Sequence, residues 1–504
     1  MKRFWLVFMS LVLVAAFSTQ AAAVDVKLSG EYFAAAMYLD RVGVRETDTL
    51  NFYNEDTGDY LYTVPGDTST AFYYQRLRLT TTFVVHPGLT LVTRADIMER
   101  AWGAARFAPT AGPADPLSGT PSALDEGSAG TRAENENIVF DLAYVQYVSP
   151  IGLFLAGYQI DGVWGTAFGD SLVTIPKIGY ILPIKAFVIG LQMGKNPDDE
   201  LSWGTWNGSV RNGAIDRDNN FYSAFAEYGT KDLAAGLLVK YARNARNRNA
   251  IAEFGLLPPH LPYDAGLKME QIIISPFAKT RLGPVALQGQ VYYLTGRYKR
   301  EGMAGFLTPE LGGGESQKID MWGAYLDAAV DFGIAYVGGS FAWLSGDKQE
   351  TGDKLEGGLT GGLDWNPCLI MFNSERNYWV GPITGYDNKV NGAPMTNAFF
   401  AQLRAGVKPT DKLDIMVSLS WAKMHRADAL SLGVQAGRDY GIEVDVTGTC
   451  KITNNLSYMF GAGYWFVGKY YKGRGLAGAS DASGVLYGNV KNDFMVLNKL
   501  TLTF

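Results

Sequence analysis

The feature that most constrains the chain is an apolar/polar alternation of period two, repeated almost from end to end and interrupted by connections of two distinct lengths. From Leu413 to Trp421, the apolar set Leu413, Ile415, Val417, Leu419 and Trp421 alternates with Asp414, Met416, Ser418 and Ser420. From Tyr73 to Val85, Leu77, Leu79, Phe83 and Val85 share one parity, and Arg76, Arg78, Thr80 and Thr82 share the other. Tyr440, Ile442, Val444 and Val446 alternate with Gly441, Glu443, Asp445 and Thr447. Trp322, Ala324, Leu326, Ala328 and Val330 do the same against Gly323, Tyr325, Asp327 and Ala329. Successive side chains on a strand point to opposite faces, so each segment reads as a strand with one greasy and one polar face.

Such strands suit a sandwich, with the apolar faces buried together, or a membrane barrel, with the apolar faces turned to lipid. Connection length separates the two. Short turns fall at His86-Pro87-Gly88, Ser149-Pro150-Ile151-Gly152, Leu182-Pro183, Gly229-Thr230-Lys231-Asp232, Leu282-Gly283-Pro284, Asp331-Phe332-Gly333, Pro409-Thr410-Asp411-Lys412 and Thr453-Asn454-Asn455. Long polar segments at 40–70, 103–136, 162–173, 195–219, 244–267, 300–317, 348–395, 424–438 and 467–491 interleave strictly with those turns. Eight short and nine long connections join eighteen strands and leave both termini on the short-turn side. A sandwich has no reason to sort its loops by end. The expectation is an all-β, transmembrane antiparallel barrel over 24–504, with short periplasmic turns and long extracellular loops. The abundance of Gly (59), Tyr (28), Phe (26) and Trp (11) agrees with strands, turns and aromatic rims.

Both ends of the sequence fit export to an outer membrane. Residues 1–23 start Met1-Lys2-Arg3, run apolar from Phe4 to Phe17 and close on Ala21-Ala22-Ala23, the order of a cleaved secretory signal. At the other end Phe494, Val496, Leu500, Leu502 and Phe504 share one parity, with Asn498 breaking the series. Phe504 is expected to act as the aromatic signal read by the barrel-assembly machinery, and the last strand should close against Val26 to Tyr38.

The chain resembles Gram-negative porins. Its C-terminal third is similar to the alginate-export type of eighteen-stranded barrel in Arg438-Asp-Tyr-Gly-Ile-Glu-Val-Asp445, Lys451-Ile-Thr-Asn-Asn-Leu-Ser-Tyr458, Gly461-Ala-Gly-Tyr-Trp-Phe466 and Leu500-Thr-Leu-Thr-Phe504. Trp164-Gly-Thr-Ala-Phe-Gly-Asp170 also resembles a stretch common in such porins. The resemblance implies a barrel and passive diffusion. The dense arginine lining that the family uses for a polyuronate is only partly present.

Enzymatic signatures do not assemble. Phe168-Gly-Asp-Ser-Leu172 matches the nucleophile block of GDSL esterases, with Ser171 as nucleophile, but none of His86, His260 and His425 has an Asp three residues before it to complete the base. There is no His-Glu-x-x-His zinc motif. Asp216-Arg-Asp-Asn-Asn220 with Glu227 starts like a calcium loop, yet its sixth position is Phe221 where such a loop needs Gly. Cys368 is expected in an outer loop and Cys450 on the lipid-facing parity near the periplasmic rim, too far apart for a disulfide. Without Cys-x-x-Cys-His no covalent haem is expected, and no cofactor or metal is assigned. The net charge of −6 offers no basic surface for nucleic acid.

Charges of the polar parity are the expected pore lining: Lys27, Glu31, Arg76, Arg78, Arg94, Asp96, Glu227, Lys240, Asp327, Arg404, Asp414, Glu443 and Asp445. Pairing about the His86-Pro87-Gly88 turn sets Arg78 opposite Asp96, so the lumen should carry a basic arc from Arg76, Arg78 and Arg94 and a more acidic arc from Asp327, Asp414, Glu443 and Asp445. Loop 348–395, with Trp365, Tyr378 and Trp379, is the expected constriction. The expected function is a non-enzymatic outer-membrane channel passing small hydrophilic, ionic solutes, with lipids, lipopolysaccharide and the assembly machinery as partners. Self-association into a homo-oligomer is compatible with it. Two rivals are a barrel sleeve around a secreted partner such as a multihaem cytochrome, and an alginate-like polysaccharide export channel.

Overall fold

The computed structural model describes residues 24–41, 49–54, 59–65, 69–102, 138–171, 173–196, 205–206, 209–210, 218–245, 267–300, 316–348, 351–380, 395–426, 437–470 and 491–504. The expected leader at 1–23, His260, Leu172 and Asp216 lie outside the described residues.

Eighteen long antiparallel strands close on themselves. The first nine are β1 (Asp25–Leu39), β2 (Thr70–His86), β3 (Leu89–Ala101), β4 (Ile138–Ser149), β5 (Gly152–Asp161), β6 (Val173–Ile184), β7 (Phe187–Lys195), β8 (Asn219–Gly229) and β9 (Leu233–Asn244). The rest are β10 (Leu267–Leu282), β11 (Val285–Arg300), β12 (Ser316–Asp331), β13 (Ala335–Leu344), β14 (Ala398–Thr410), β15 (Leu413–Met424), β16 (Asp439–Lys451), β17 (Leu456–Val467) and β18 (Asp493–Thr503). Each strand pairs with its sequence neighbours, and β18 closes on β1 with Glu31 opposite Thr503 and Leu39 opposite Met495. Closure leaves no unpaired edge, the condition for crossing a bilayer with strands. No described helix is long and apolar enough to span a membrane.

Alternation decides which face meets what. On β14 and β15, Leu403, Val417 and Leu419 point outwards and are exposed, Leu403 to 69%, while Gln402, Ser418 and Ser420 are buried inside. Such a continuous apolar exterior would aggregate in water and is at home in lipid. Outward aromatics gather at both rims. Tyr147, Phe154 and Tyr180 form one chain of rings near the short turns, with centroids 6.5 and 5.0 Å apart. Near the long loops, Tyr73 stacks on Trp102 at 5.3 Å and Tyr293 packs at a tilt against Trp322 at 4.2 Å. Two aromatic girdles about an apolar band mark the membrane–water boundaries. Phe504 belongs to the outward parity, and its ring lies over Gly30, where a Cβ would come within 2.7 Å of it.

The register shifts at five places between described barrel strands, and three of these bulges bear on the lumen. Arg94 pairs with Leu142 and Ala95 with Phe140, leaving Asp141 as an extra residue on β4. Between Gln75–Arg100 and Leu77–Ile97, β3 carries one extra residue, and Met98 there has φ of 54°. Near Ala422, β16 bulges at Gly441, whose φ of 125° favours glycine. Beyond a bulge the inward and outward parities of a strand exchange. Tyr440, expected outwards with Ile442, accordingly turns inwards, fully buried against Tyr470 and Phe372.

Candidate functional site: the lumen and its two inward loops

Two long connections fold into the barrel. The shorter, 162–171, leaves β5 and reaches strands far round the circumference. Trp164 donates its indole N–H to the Ser275 carbonyl at 2.9 Å and packs edge-on against Phe277. Thr166 donates both its backbone N–H (2.8 Å) and its hydroxyl (2.7 Å) to Gln290 Oε1. Gly165, at φ of 74°, allows this approach, since a Cβ there would sit 2.7 Å from the same Gln290 oxygen. Phe168 then stacks on Tyr325 of β12, 5.1 Å away and 4° from parallel. Ser171 closes the excursion through its backbone N–H to the Gly162 carbonyl.

The longer connection, between β13 and β14, first takes a place in the wall beside β12 beyond the end of β13, where Lys354–Leu355 pair in parallel with Lys318 and Ile319. Trp365 packs on Phe168, Tyr325 and Phe400, so the two loops meet inside the barrel, and the Gly362 N–H bonds the Phe168 carbonyl. Asn373 caps the helix α1 (Ser374–Val380), accepting the Arg376 N–H at 2.8 Å. Glu375 accepts from Tyr74 (3.1 Å) and Lys499 (2.9 Å), and Trp379 lies against Tyr74 at 4.5 Å. The loop therefore runs from the β12 wall to β18 and β2, and its aromatic residues narrow the interior along the way.

The expected lining charges do point inwards, but not as a basic and an acidic arc. Every arginine named has a carboxylate. Arg78 and Asp96, directly opposite in register, bond through two contacts of 2.7 and 2.6 Å. Arg94 binds both oxygens of Asp141 through Nε at 3.0 and 2.9 Å, and Asp141 also lies 3.9 Å from Arg78. Arg76 bridges Glu31 and Glu99, each at 3.4 Å. Arg404 clasps Asp327 at 2.7 and 3.1 Å, helped by Ser340. Lys240 meets Asp161 at 2.8 Å, and Lys177 meets its other oxygen at 3.2 Å. Asp414 accepts the Tyr336 hydroxyl at 2.9 Å. Lys27 and Glu227 stand on the inward parity and form no ion pair with a described residue.

Asp141, Glu99, Asp161 and Lys177 were absent from the expected lining. The first two owe their place to the bulges in β3 and β4, which no parity count can see. Asp161 and Lys177 were within reach of one, being on the parity opposite Phe154, Tyr158 and Ile178.

Glu443 and Asp445 do not face water as expected. The long loop lies over them: Glu443 takes the Ile370 N–H at 2.6 Å and the Met371 N–H at 2.7 Å, one on each oxygen, and both carboxylates are buried. Cys368, expected in an outer loop, is buried beside them because its loop folds inwards. Burial, then the neighbouring Glu443 and Asp445, pushes its thiol well above the usual range. Cys450 is exposed on the outer parity, and both cysteines are free. At the loop's first anchor, His425 Nδ1 accepts the Gly346 N–H at 2.9 Å, and burial with the Arg426, Arg438 and Lys348 charges lowers the imidazole to about 4. The calcium-like segment holds no described cation cluster; its Asp218 pairs with Lys195 at 3.1 Å.

No family model matches this chain, and no curated protein matches it. Solved outer-membrane barrels are similar over nearly its whole length. OccAB1 of Acinetobacter baumannii shares 10% identity with a TM-score of 0.45, covering 95% of this chain and 97% of its own. The outer-membrane protein OmpT of Vibrio cholerae shares 9% with a TM-score of 0.37, covering 96% and 99%. The closed strand pairing defines the barrel independently of these likenesses.

Proposed function

We propose that the chain is an outer-membrane channel through which small hydrophilic, mainly ionic solutes diffuse passively, exported with residues 1–23 as a cleaved leader and performing no chemical step. The observation that carries this reading is the charged row on β2 to β4. Arg78, Asp96, Arg94 and Asp141 pair in a continuous line inside the barrel, with side-chain exposures of 22, 11, 9 and 21%. In a dry interior such a row would cost several kcal/mol per ion. Beside a water-filled path it is tolerable, and it presents alternating charge to a passing ion.

The same pairing counts against polysaccharide export, since Arg76, Arg78, Arg94 and Arg404 each already hold a carboxylate that a polyuronate would have to displace. A sleeve around a folded partner needs a clear lumen, and two inward loops that meet at Phe168 and Trp365 oppose it. Swelling of liposomes carrying the purified protein tests the reading: small sugars, organic acids and monomeric uronates should enter, and a red haem-bearing partner should not co-purify. Exclusion of all three solute classes by folded protein would defeat it. As part of the same reading, Phe504 serves the assembly machinery, so its deletion should lower outer-membrane levels; undiminished folded protein would remove that role.

A further inference from the structure

The inner face of β16 carries a group of side chains that permeation does not use. Cys368 Sγ and one carboxylate oxygen each from Glu443 and Asp445 lie within 4.8 Å of one another, and the three residues are 3, 0 and 2% exposed. Glu443 is held by the Ile370 and Met371 N–H groups, and Asp445 Oδ2 accepts the Ser418 hydroxyl at 3.3 Å. Asp445 Oδ1, in contrast, is buried and makes no hydrogen bond of ordinary geometry, although the Leu369 N–H and the Glu443 carboxyl both interact with this carboxylate. No described lysine or arginine forms an ion pair with either acid. The two acids also hydrogen-bond to each other, which requires one shared proton, so the buried pair holds a charge that no basic side chain offsets, an arrangement that costs several kcal/mol. Opposite them β17 places Gly463, where a Cβ would come within 2.5 Å of Asp445 Oδ1 and 3.4 Å of Glu443 Oε1. Asp445 Oδ1 and its neighbour both border the small space that this glycine leaves open.

We propose that Cys368, Glu443 and Asp445 bind one divalent cation of borderline softness, of the zinc class, which ties the loop segment around Cys368 to the barrel wall. The donor set selects the class: a thiolate favours zinc-like ions, while calcium and magnesium prefer all-oxygen sites. Zinc bonds of about 2.3 Å to sulfur and about 2.0–2.2 Å to oxygen put ligand atoms roughly 3.3–3.8 Å apart, so a small inward shift of Cys368 on its loop closes the set. Binding releases the thiol proton, and any proton shared by the two carboxylates, to solvent. Water or the Ser420 hydroxyl, which borders Cys368, takes the fourth position.

The test uses the full folded chain in detergent with Cys450→Ser, which removes the exposed thiol, titrated with cadmium as a spectroscopic stand-in for zinc. A thiolate-to-cadmium ultraviolet band should saturate at one equivalent, persist in excess calcium and yield to zinc. Adding Cys368→Ser should abolish it. Adding Asp445→Asn, or Gly463→Ala to fill the space, should weaken binding by at least the roughly 10–100-fold that outer-shell changes already cause. Heat-modifiable gel migration checks folding. If the added substitutions prevent folding, the Cys450→Ser parent decides alone: no band, or a band removed by calcium, overturns the site. A band of unchanged affinity in folded Asp445→Asn also overturns it, because the thiol would then be acting without the carboxylates.

Discussion

The walls at β2–β4 and at β16–β17 both present inward acids on alternating strands, and they end in opposite conditions. On the first, Asp96 and Asp141 face arginines from neighbouring strands and keep contact with water. On the second, the strands opposite Glu443 and Asp445 offer Ser418, Ser420 and Gly463 and no cation, and a loop supplies backbone N–H groups in its place. The residues across the register, and the segment that folds onto the wall, decide whether an inward carboxylate belongs to a solute path or to a latch.

The sharpest way to break this contrast is to remove the latch. Glu443→Ala leaves the buried Ile370 and Met371 N–H groups without an acceptor, at about 1–3 kcal/mol each. The segment should leave the wall, raising single-channel conductance and opening Cys368 to thiol reagents that otherwise reach only Cys450. Unchanged labelling and conductance would mean that the loop is held elsewhere. The paired wall is tested next with Arg78→Ala and Arg94→Ala together. Asp96 and Asp141 then face the lumen uncompensated, so the reversal potential in a salt gradient should move towards cation preference, most strongly at low salt, where screening over the Debye length of about 8–10 Å at physiological strength is relaxed. Folding should survive because water reaches both acids. Selectivity that stays put in a conducting barrel would place the row outside the path.

A smaller effect is expected at the loop's entrance. The fold holds His425 at about 4, below its unfolded value of about 6.5. Its packing between Trp343 and Phe399 therefore keeps full stability above about pH 6.5 and loses it as pH falls through about 4. An imidazole titration followed by NMR should give the low value. One near 6.5 would show the anchor to be open in solution.

The barrel was legible because its physics is periodic. Alternation and sorted connection lengths sufficed for the strand count, most of the turns and the closing pair; the turn expected at Leu182-Pro183 lies instead at Lys185–Ala186, since Leu182 and Pro183 still pair with Ile189 and Val188. Arg78 opposite Asp96 was legible too, being fixed by a short turn. Legibility stopped at the bulges: one extra residue in β3 turned Glu99 towards Arg76, one in β4 brought Asp141 to Arg94, and the bulge at Gly441 buried Tyr440. It also stopped at the inward loops, since the burial of Cys368 and Glu443 depends on contacts between segments some 70 residues apart, for which composition carries no signal.

Current through single wild-type barrels in a planar bilayer tests the central claim most directly. Protein shown to be folded by its heat-modifiable migration should insert in discrete steps of ohmic conductance that scale with salt, as a water-filled lumen past the arginine row requires. Folded, inserted protein that passes no current in either salt would contradict a conducting lumen and leave the two inward loops as a complete plug.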